Sequence, residues 1–161
     1  MTDRQVQWPD IAGRVEARAD GDVHVLPVRV YFEDTDFSGL VYHASYVRFI
    51  ERGRSDYLRL LGVHHAALAQ GDGDRPPAAL AVRRLTMDYL RPAKIDDVLT
   101  VETRLKSLTA ATCVLDQRVM RGAETLISAE VTAVLLSLDG RVLRIDRALK
   151  PHLKTALDNA P

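Results

Sequence analysis

One cysteine, no net charge and no long apolar run set the first limits on this 161-residue chain. A lone Cys113 cannot close an intrachain disulfide. It lies in a strand-like run, so it reads as a core thiol, consistent with a reducing cytoplasm. Lys plus Arg number 22 and Asp plus Glu number 22, which removes any general pull toward nucleic acid or an anionic membrane. The longest apolar runs are far too short to span a bilayer, so no integral membrane association is expected. Residues 1–20 are polar and mixed in charge, without the apolar stretch of a signal peptide. Together these absences predict a soluble, cytoplasmic protein. Three catalytic signatures are also missing: a Gly-rich phosphate loop of the usual spacing, a nucleophile elbow around a serine, and a Cys/His pair at a supporting spacing. A nucleotide hydrolase and a serine hydrolase are therefore disfavoured. CoA is not excluded, since many folds hold it without a short motif.

The length fits one domain able to bury a core. Residues 1–22 lack clear periodicity and are expected to form a loosely ordered N-terminal arm ahead of a single domain over 23–161. Residues 23–33 are rich in Val, Leu, Tyr and Phe, as in a strand, with Pro27 better suited to a sheet edge or to the strand's start. Tyr46, Phe49, Ile50, Gly53, Tyr57, Leu60 and Leu61 follow helical spacing, and Gly62 supplies a stop. Gly53 costs about 1 kcal/mol against alanine inside a helix. Close approach of the helix to a sheet would compensate it.

Residues 64–70 read as a further turn or two of helix, followed by a loop at Gly71-Asp72-Gly73-Asp74 and Pro76-Pro77. The period then changes to two. Leu99, Val101, Thr103 and Leu105 alternate with Thr100, Glu102, Arg104 and Lys106, as in a sheet with one wet face. Cys113, Leu115 and Val119 continue the pattern, with Gly122 near the next turn. Ile127, Ala129, Val131, Ala133 and Leu135 form one face of a long strand, which Asp139-Gly140 turns into a short last one. Residues 147–157 suggest a terminal helix interrupted near Pro151. A strand, a long helix and then successive strands predict an α+β domain in which an antiparallel sheet wraps one helix.

The chemistry concentrates between Val30 and Gly62, where Asp34 and Asp36 precede a tight loop at Ser38-Gly39, then His43 and the long helix. A carboxylate in such a loop can act as acid, base or nucleophile, and the helix's free N–H groups can stabilise an oxyanion beside it. That combination points to acyl chemistry. Taken alone, Asp-Thr-Asp more often supplies a turn aspartate that satisfies loop amides, and Gly39, Tyr42 and the helix beginning near His43 strengthen the catalytic reading of Asp36; Asp34 fits a loop brace. His43 reads as a general base or, in better accord with helix N-terminal amides, as the donor of a backbone N–H. His64-His65 lacks the accompanying Cys or carboxylates of a metal site, and Asp34-x-Asp36 lacks the further oxygens of a calcium loop. Asp96-Asp97 fits a turn before the next strand. Tyr46, Phe49 and Tyr57 fit the core better than a cofactor site.

Tyr31-Phe32-Glu33-Asp34-Thr35-Asp36, then Gly39, Val41-Tyr42-His43-Ala44 and Tyr46, resembles the Tol-Pal-associated acyl-CoA thioesterase family (YbgC-like), a branch of the hotdog-fold 4-hydroxybenzoyl-CoA thioesterase group. The likeness continues through Glu51-Arg52-Gly53-Arg54 and Arg59, then Tyr89-Leu90-Arg91-Pro92-Ala93, Asp96-Asp97 and Leu99. A fainter echo covers residues 129–141 and Arg144-Ile145. Such a resemblance implies a hotdog fold working as a homodimer or homotetramer, with sites between subunits that hydrolyse acyl-CoA without metal or other cofactor. It maps the catalytic aspartate onto Asp36 and the carbonyl-polarising backbone amide onto His43. Gly39, Tyr42 and Tyr46 become candidate substrate contacts. Arg91 and Lys94 become candidates for CoA phosphates, alongside their reading as solvated surface. An acyl carrier protein could replace CoA as the thiol carrier.

Two positions depart from the family's habit: Phe37-Ser38 stands where small residues are common, and Ser45 where asparagine is common. Both bear on substrate preference more than on the reaction. Two rival functions remain at this point. One is a non-catalytic acyl-thioester-binding or scaffold protein near the cell envelope, which has no need of a carboxylate beside the carbonyl. The other is a hotdog hydratase or dehydratase pairing His43 with Asp36.

Overall fold

The computed structural model describes residues 12–158. Strand β1 (Arg14–Arg18) turns at Ala19-Asp20 into β2 (Gly21–Arg29), and a single 3-10 turn over Phe32–Asp34 leads to the site loop. Helices α1 (His43–Leu60) and α2 (His65–Gln70) follow, then β3 (Ala78–Tyr89), β4 (Val98–Leu108), β5 (Cys113–Arg121), β6 (Glu124–Ser137), β7 (Val142–Leu143) and α3 (Ile145–Asp158). Among the described residues seven strands form one antiparallel sheet in the order β1–β2–β4–β5–β6–β3, with β7 paired to β6 beyond the reach of β5. The expected α+β arrangement of a sheet around one long helix is present.

Helix α1 lies on the sheet through Tyr46, Phe49, Ile50, Gly53, Tyr57 and Leu58, all buried. Leu58, rather than the predicted Leu60, completes this stripe, and Leu60 faces outward. A Cβ on Gly53 would lie 2.5 Å from Val101 Cγ1, so the absent side chain is what lets the helix approach β4. Two core clusters sit along α1. One, around Phe49, Ile50, Leu99, Val101 and Ile127, packs near its N-terminal half, and the other, around Tyr57, Leu105, Leu115, Ile145 and Leu149, near its C-terminal half. Cys113 is buried in the second cluster, as the sequence predicts.

Several expectations require correction. Residues 14–18, assigned to a loose arm, form β1, which pairs with Gly21–Val25 of β2. Residues 1–11 of that arm lie outside the described residues. Strand β1 was illegible because both of its faces stay largely exposed, so no alternation marks it. Its Arg18 pairs at 2.7 Å with Glu102, which is thereby buried instead of lining the predicted wet face.

Pro27 lies inside β2 opposite Thr100, not at the strand's start. The pairing with β1 ends at Val25, whose carbonyl faces Gly13, so by the two-residue period Pro27's missing N–H points to an edge with no partner strand among the described residues. Strand β3 has no counterpart in the sequence reading. Its register shifts between Val82 and Arg84, which breaks the alternation, and as an edge strand it stays largely exposed. Helix α3 begins at Ile145 and runs through Pro151, whose ring is on the exposed side, instead of breaking there.

Candidate active site

A chain of backbone bonds builds the loop before α1. Asp36 N–H donates to the Leu40 carbonyl at 3.1 Å and Gly39 N–H to the Asp36 carbonyl at 3.0 Å, closing a tight turn. Gly39 adopts a φ of 79°, with nothing within 4 Å of an added Cβ, so glycine is required there by conformation and not by space. A bridge pairs Leu40 with Lys94, and Val41 N–H donates to the Ala93 carbonyl at 2.9 Å, fastening the turn to the loop before β4. Asp34 is buried, accepting the Tyr31 N–H at 2.8 Å on its carboxylate while its carbonyl accepts from Tyr42 N–H. It is the brace that its position suggested.

The chain then enters α1 directly. Tyr42 is the N-cap with no side-chain capping bond, and His43 is the first helical residue. Its N–H is one of the helix's first four, for which the helix provides no acceptor. The Tyr42 and His43 rings lie 4.4 Å apart, and the Tyr89 hydroxyl donates to the His43 carbonyl at 3.2 Å. Beside this junction is a cleft of about 260 Å³, lined by Leu40, Val41, His43, Tyr46, Tyr89 and residues 90–92.

The turn and the helix start thus bring Asp36, Gly39, Tyr42 and His43 into one continuous stretch. Asp36 is exposed and is not among the residues lining the cleft. Its Oδ1 accepts from the Ser38 hydroxyl at 2.5 Å and from the Ser38 amide at 2.8 Å. These bonds, the hydroxyl first, hold the carboxyl below the usual carboxylate range, so it is ionised at neutral pH. Tyr46 is only 3% exposed and its hydroxyl accepts from Ala93 N–H at 2.9 Å. It is a pillar of the cleft wall as well as a core residue.

Sequence reasoning missed Tyr89 as a cleft residue because the strand that presents it was not recognised. It also missed the Ser38 hydroxyl, although the turn itself, with the Asp36 carboxylate bonded to the backbone two residues on, is one that aspartate commonly makes. Arg91 lines the cleft while pairing with Glu124 at 3.2 Å. Asp97 accepts from Lys94 N–H and pairs with Arg121, which gives it the structural turn role expected of it.

Cavity size does not locate this chemistry. Two larger hollows, of about 420 and 570 Å³, lie toward the other end of α1, one bounded by Val63, Leu68, Leu143 and Arg147 and the other by Leu26, Asp56, Arg59 and His65. Among the described residues no group of three or more His, Cys, Asp or Glu is placed to hold a metal ion, His64 and His65 included. A separate buried cluster joins β2 to α1. His24 Nε2 lies 2.8 Å from Asp56 Oδ2, and Asp56 also accepts from Gly13 N–H and from Arg59. Burial lowers the His24 pKa more than Asp56 raises it, so the ring is neutral and donates to Asp56 through Nε2. Its buried Nδ1 has no partner among the described residues.

A sheet wrapped around one helix, with an ionised aspartate in the turn before that helix, defines a hotdog thioesterase architecture. The chain belongs to the thioesterase superfamily, whose family model matches residues 38–128. It is 42% identical over 113 residues to the acyl-CoA thioesterase YbgC of Haemophilus influenzae, an alignment covering 70% of this chain and 80% of that one. Against the acyl-CoA thioester hydrolase YbgC of Escherichia coli it is 43% identical over 109 residues, covering 67% and 78%. Among solved structures, a probable thioesterase from Bartonella henselae superposes with a TM-score of 0.73 at 39% identity, covering 76% of this chain and 98% of that one.

Proposed function

We propose that this protein hydrolyses acyl-CoA thioesters to free CoA and a carboxylate. The observation that carries the proposal is an ionised Asp36 in the turn that leads straight into the N-terminus of α1, in a chain of the thioesterase superfamily. In the general-base route Asp36 takes a proton from water as the water oxygen attacks the thioester carbonyl carbon. In the nucleophilic route the carboxylate itself attacks, CoA thiolate leaves, and water opens the mixed anhydride. Either way the carbonyl oxygen gains negative charge, and the His43 N–H at the positive end of α1 is the donor that meets it. The C–S bond then breaks and the CoA sulfur takes up a proton. No metal or organic cofactor enters this scheme.

Tyr42, with Gly39 and the cleft beyond His43, is proposed to receive the acyl group, and Arg91 and Lys94 to meet CoA phosphates. Working as a homodimer or a dimer of dimers is part of the same proposal. The outer edge of β3, the last strand in the sheet, has no strand beside it among the described residues, which favours pairing with a second copy. No described helix is long and apolar enough to cross a membrane. A cytoplasmic location, and CoA or an acyl carrier protein as thiol carrier, complete the proposal.

Thiol release from saturated short, long and aromatic acyl-CoAs tests it, with Asp36→Asn beside the wild type. Loss of a general base lowers turnover by about 10²–10⁴. Release that is equal in both proteins removes Asp36 from the mechanism. Acyl-CoA binding without release from any member of the panel replaces the enzyme with a binding module.

A further inference from the structure

Asp36 does not present two equivalent oxygens. Oδ1 accepts both the Ser38 hydroxyl, at 2.5 Å, and the Ser38 amide, at 2.8 Å. No bond to Oδ2 occurs among the described residues. The Ser38 hydroxyl is itself engaged as an acceptor, because Leu40 N–H donates to Ser38 Oγ at 3.3 Å while the hydroxyl donates to Asp36. The Asp36 amide in turn donates to the Leu40 carbonyl at 3.1 Å. Asp36, Ser38 and Leu40 therefore form a closed ring of hydrogen bonds, and Leu40 is part of the cleft wall. A turn aspartate that only tied down the loop would need no more than the Ser38 amide. The hydroxyl is a second donor on the same oxygen, and the ring links that oxygen to the cleft.

We propose that Ser38 is a positioning residue for the hydrolysis: it clamps Oδ1 of Asp36 and thereby assigns Oδ2 to the reacting water or carbonyl. This rests on the thioesterase reading of Asp36. Two donors on one oxygen fix the plane of the carboxylate and favour its charged form. The other ionisable groups around the turn are Glu33 and Asp34 before it, His43 at the helix start, and Lys94 across the bridge from Leu40. What holds the carboxyl low is the Ser38 pair of donors, the hydroxyl first. The clamp thus extends the ionised range of Asp36 to lower pH than an ordinary aspartate reaches, and sets where activity falls away on the acid side.

Ser38→Ala separates the two donors, since it deletes the hydroxyl and leaves the amide; Ser38→Thr keeps a hydroxyl. The experiment is a carboxyl ¹³C titration of Asp36 by NMR, with the signal assigned by its disappearance in Asp36→Asn. It is paired with the pH profile of CoA release on the best saturated acyl-CoA of the panel. In Ser38→Ala the carboxyl is expected to titrate at higher pH and the acid limb of kcat/KM to move with it, while Ser38→Thr stays with the wild type. Superimposable titrations of wild type and Ser38→Ala would overturn the proposal. So would a carboxyl titration that moves while the acid limb does not. Failure of the underlying reading is separate: undiminished release from Asp36→Asn removes Asp36 from the mechanism, and no release from the wild type removes the thioesterase.

Discussion

Gly53→Ala tests how closely α1 lies on the sheet. If the helix surface at residue 53 were open, alanine would stabilise the protein by about 1 kcal/mol through helix propensity alone. A Cβ there meets Val101 Cγ1 at 2.5 Å, Val101 Cβ at 3.1 Å and Thr103 Oγ1 at 3.2 Å. Val101 is fully buried and stiff at χ1, so it cannot swing away. Overpacking of this kind costs about 1–3 kcal/mol. With the close contact placing Gly53→Ala toward the upper end, the net loss is about 1–2 kcal/mol, a fall in Tm of roughly 2–8 °C for a chain of this size.

A double-mutant cycle with Val101→Ala isolates the cause. Val101→Ala alone is destabilising through lost burial and a cavity, but in its presence the methyl introduced by Gly53→Ala has room. The two changes are therefore expected to be coupled by about 1 kcal/mol or more in the rescuing direction. Thermal and urea unfolding of the four proteins measures this. A rise in Tm for Gly53→Ala with additive behaviour would refute the reasoning, because it would mean that the helix stands off the sheet.

The remaining expectations concern buried ionisable groups. Burial depresses the His24 pKa below its unfolded value of about 6.5, so the unfolded chain takes up the proton first. The corresponding stability is fully present above about pH 6.5 and declines as pH falls toward the lower folded value. Urea midpoints at stepped pH should show this slope in the wild type and a smaller one in His24→Gln. Burial pushes the Cys113 thiol up to about 12, which leaves almost no thiolate at pH 8. A disulfide exchange reagent should react with it only as fast as the protein opens, and immediate labelling of the native protein would contradict its placement.

Legibility followed the strength of the local periodicity. Helix α1 could be read because Tyr46, Phe49, Ile50 and Tyr57 repeat with one wet side, and β6 because Ile127 to Leu135 alternate without a break. Strand β3 was lost at Val82/Arg84, where the register shift changes the face that later side chains occupy. Strand β1 was lost because its neighbours are charges rather than a core, and the burial of Glu102 depends on Arg18 from that strand.

At the site, the Asp36 turn and the helix start could be read from residue types, position already ranked Asp34 behind Asp36, and the family resemblance mapped the catalytic role onto Asp36. In the structure Asp34 is turned inward on Tyr31 N–H and Asp36 is exposed. The Ser38 clamp and the Tyr46 hydroxyl on Ala93 N–H escaped notice because hydrogen-bond direction is a three-dimensional property. No periodicity encodes it.

The interleaved order of the sheet has a kinetic consequence. Strand β2 must wait for β4, joining His24 to Thr103, and β3 must wait for β6, joining Ala78 to Ser137. Only the β1–β2, β4–β5, β5–β6 and β6–β7 pairings are hairpins between successive strands. Distant pairings incur loop-closure entropy before any contact rewards it, and sheets dominated by them fold in roughly milliseconds to seconds. During that interval the β4–β5–β6 meander is the part of the sheet that local encounters can assemble. α1, amphipathic and continuous, is the surface on which it can condense. Until β2 and β3 arrive, both flanks of that meander are unpaired, which makes this stage of folding the one most open to pairing with the wrong chain.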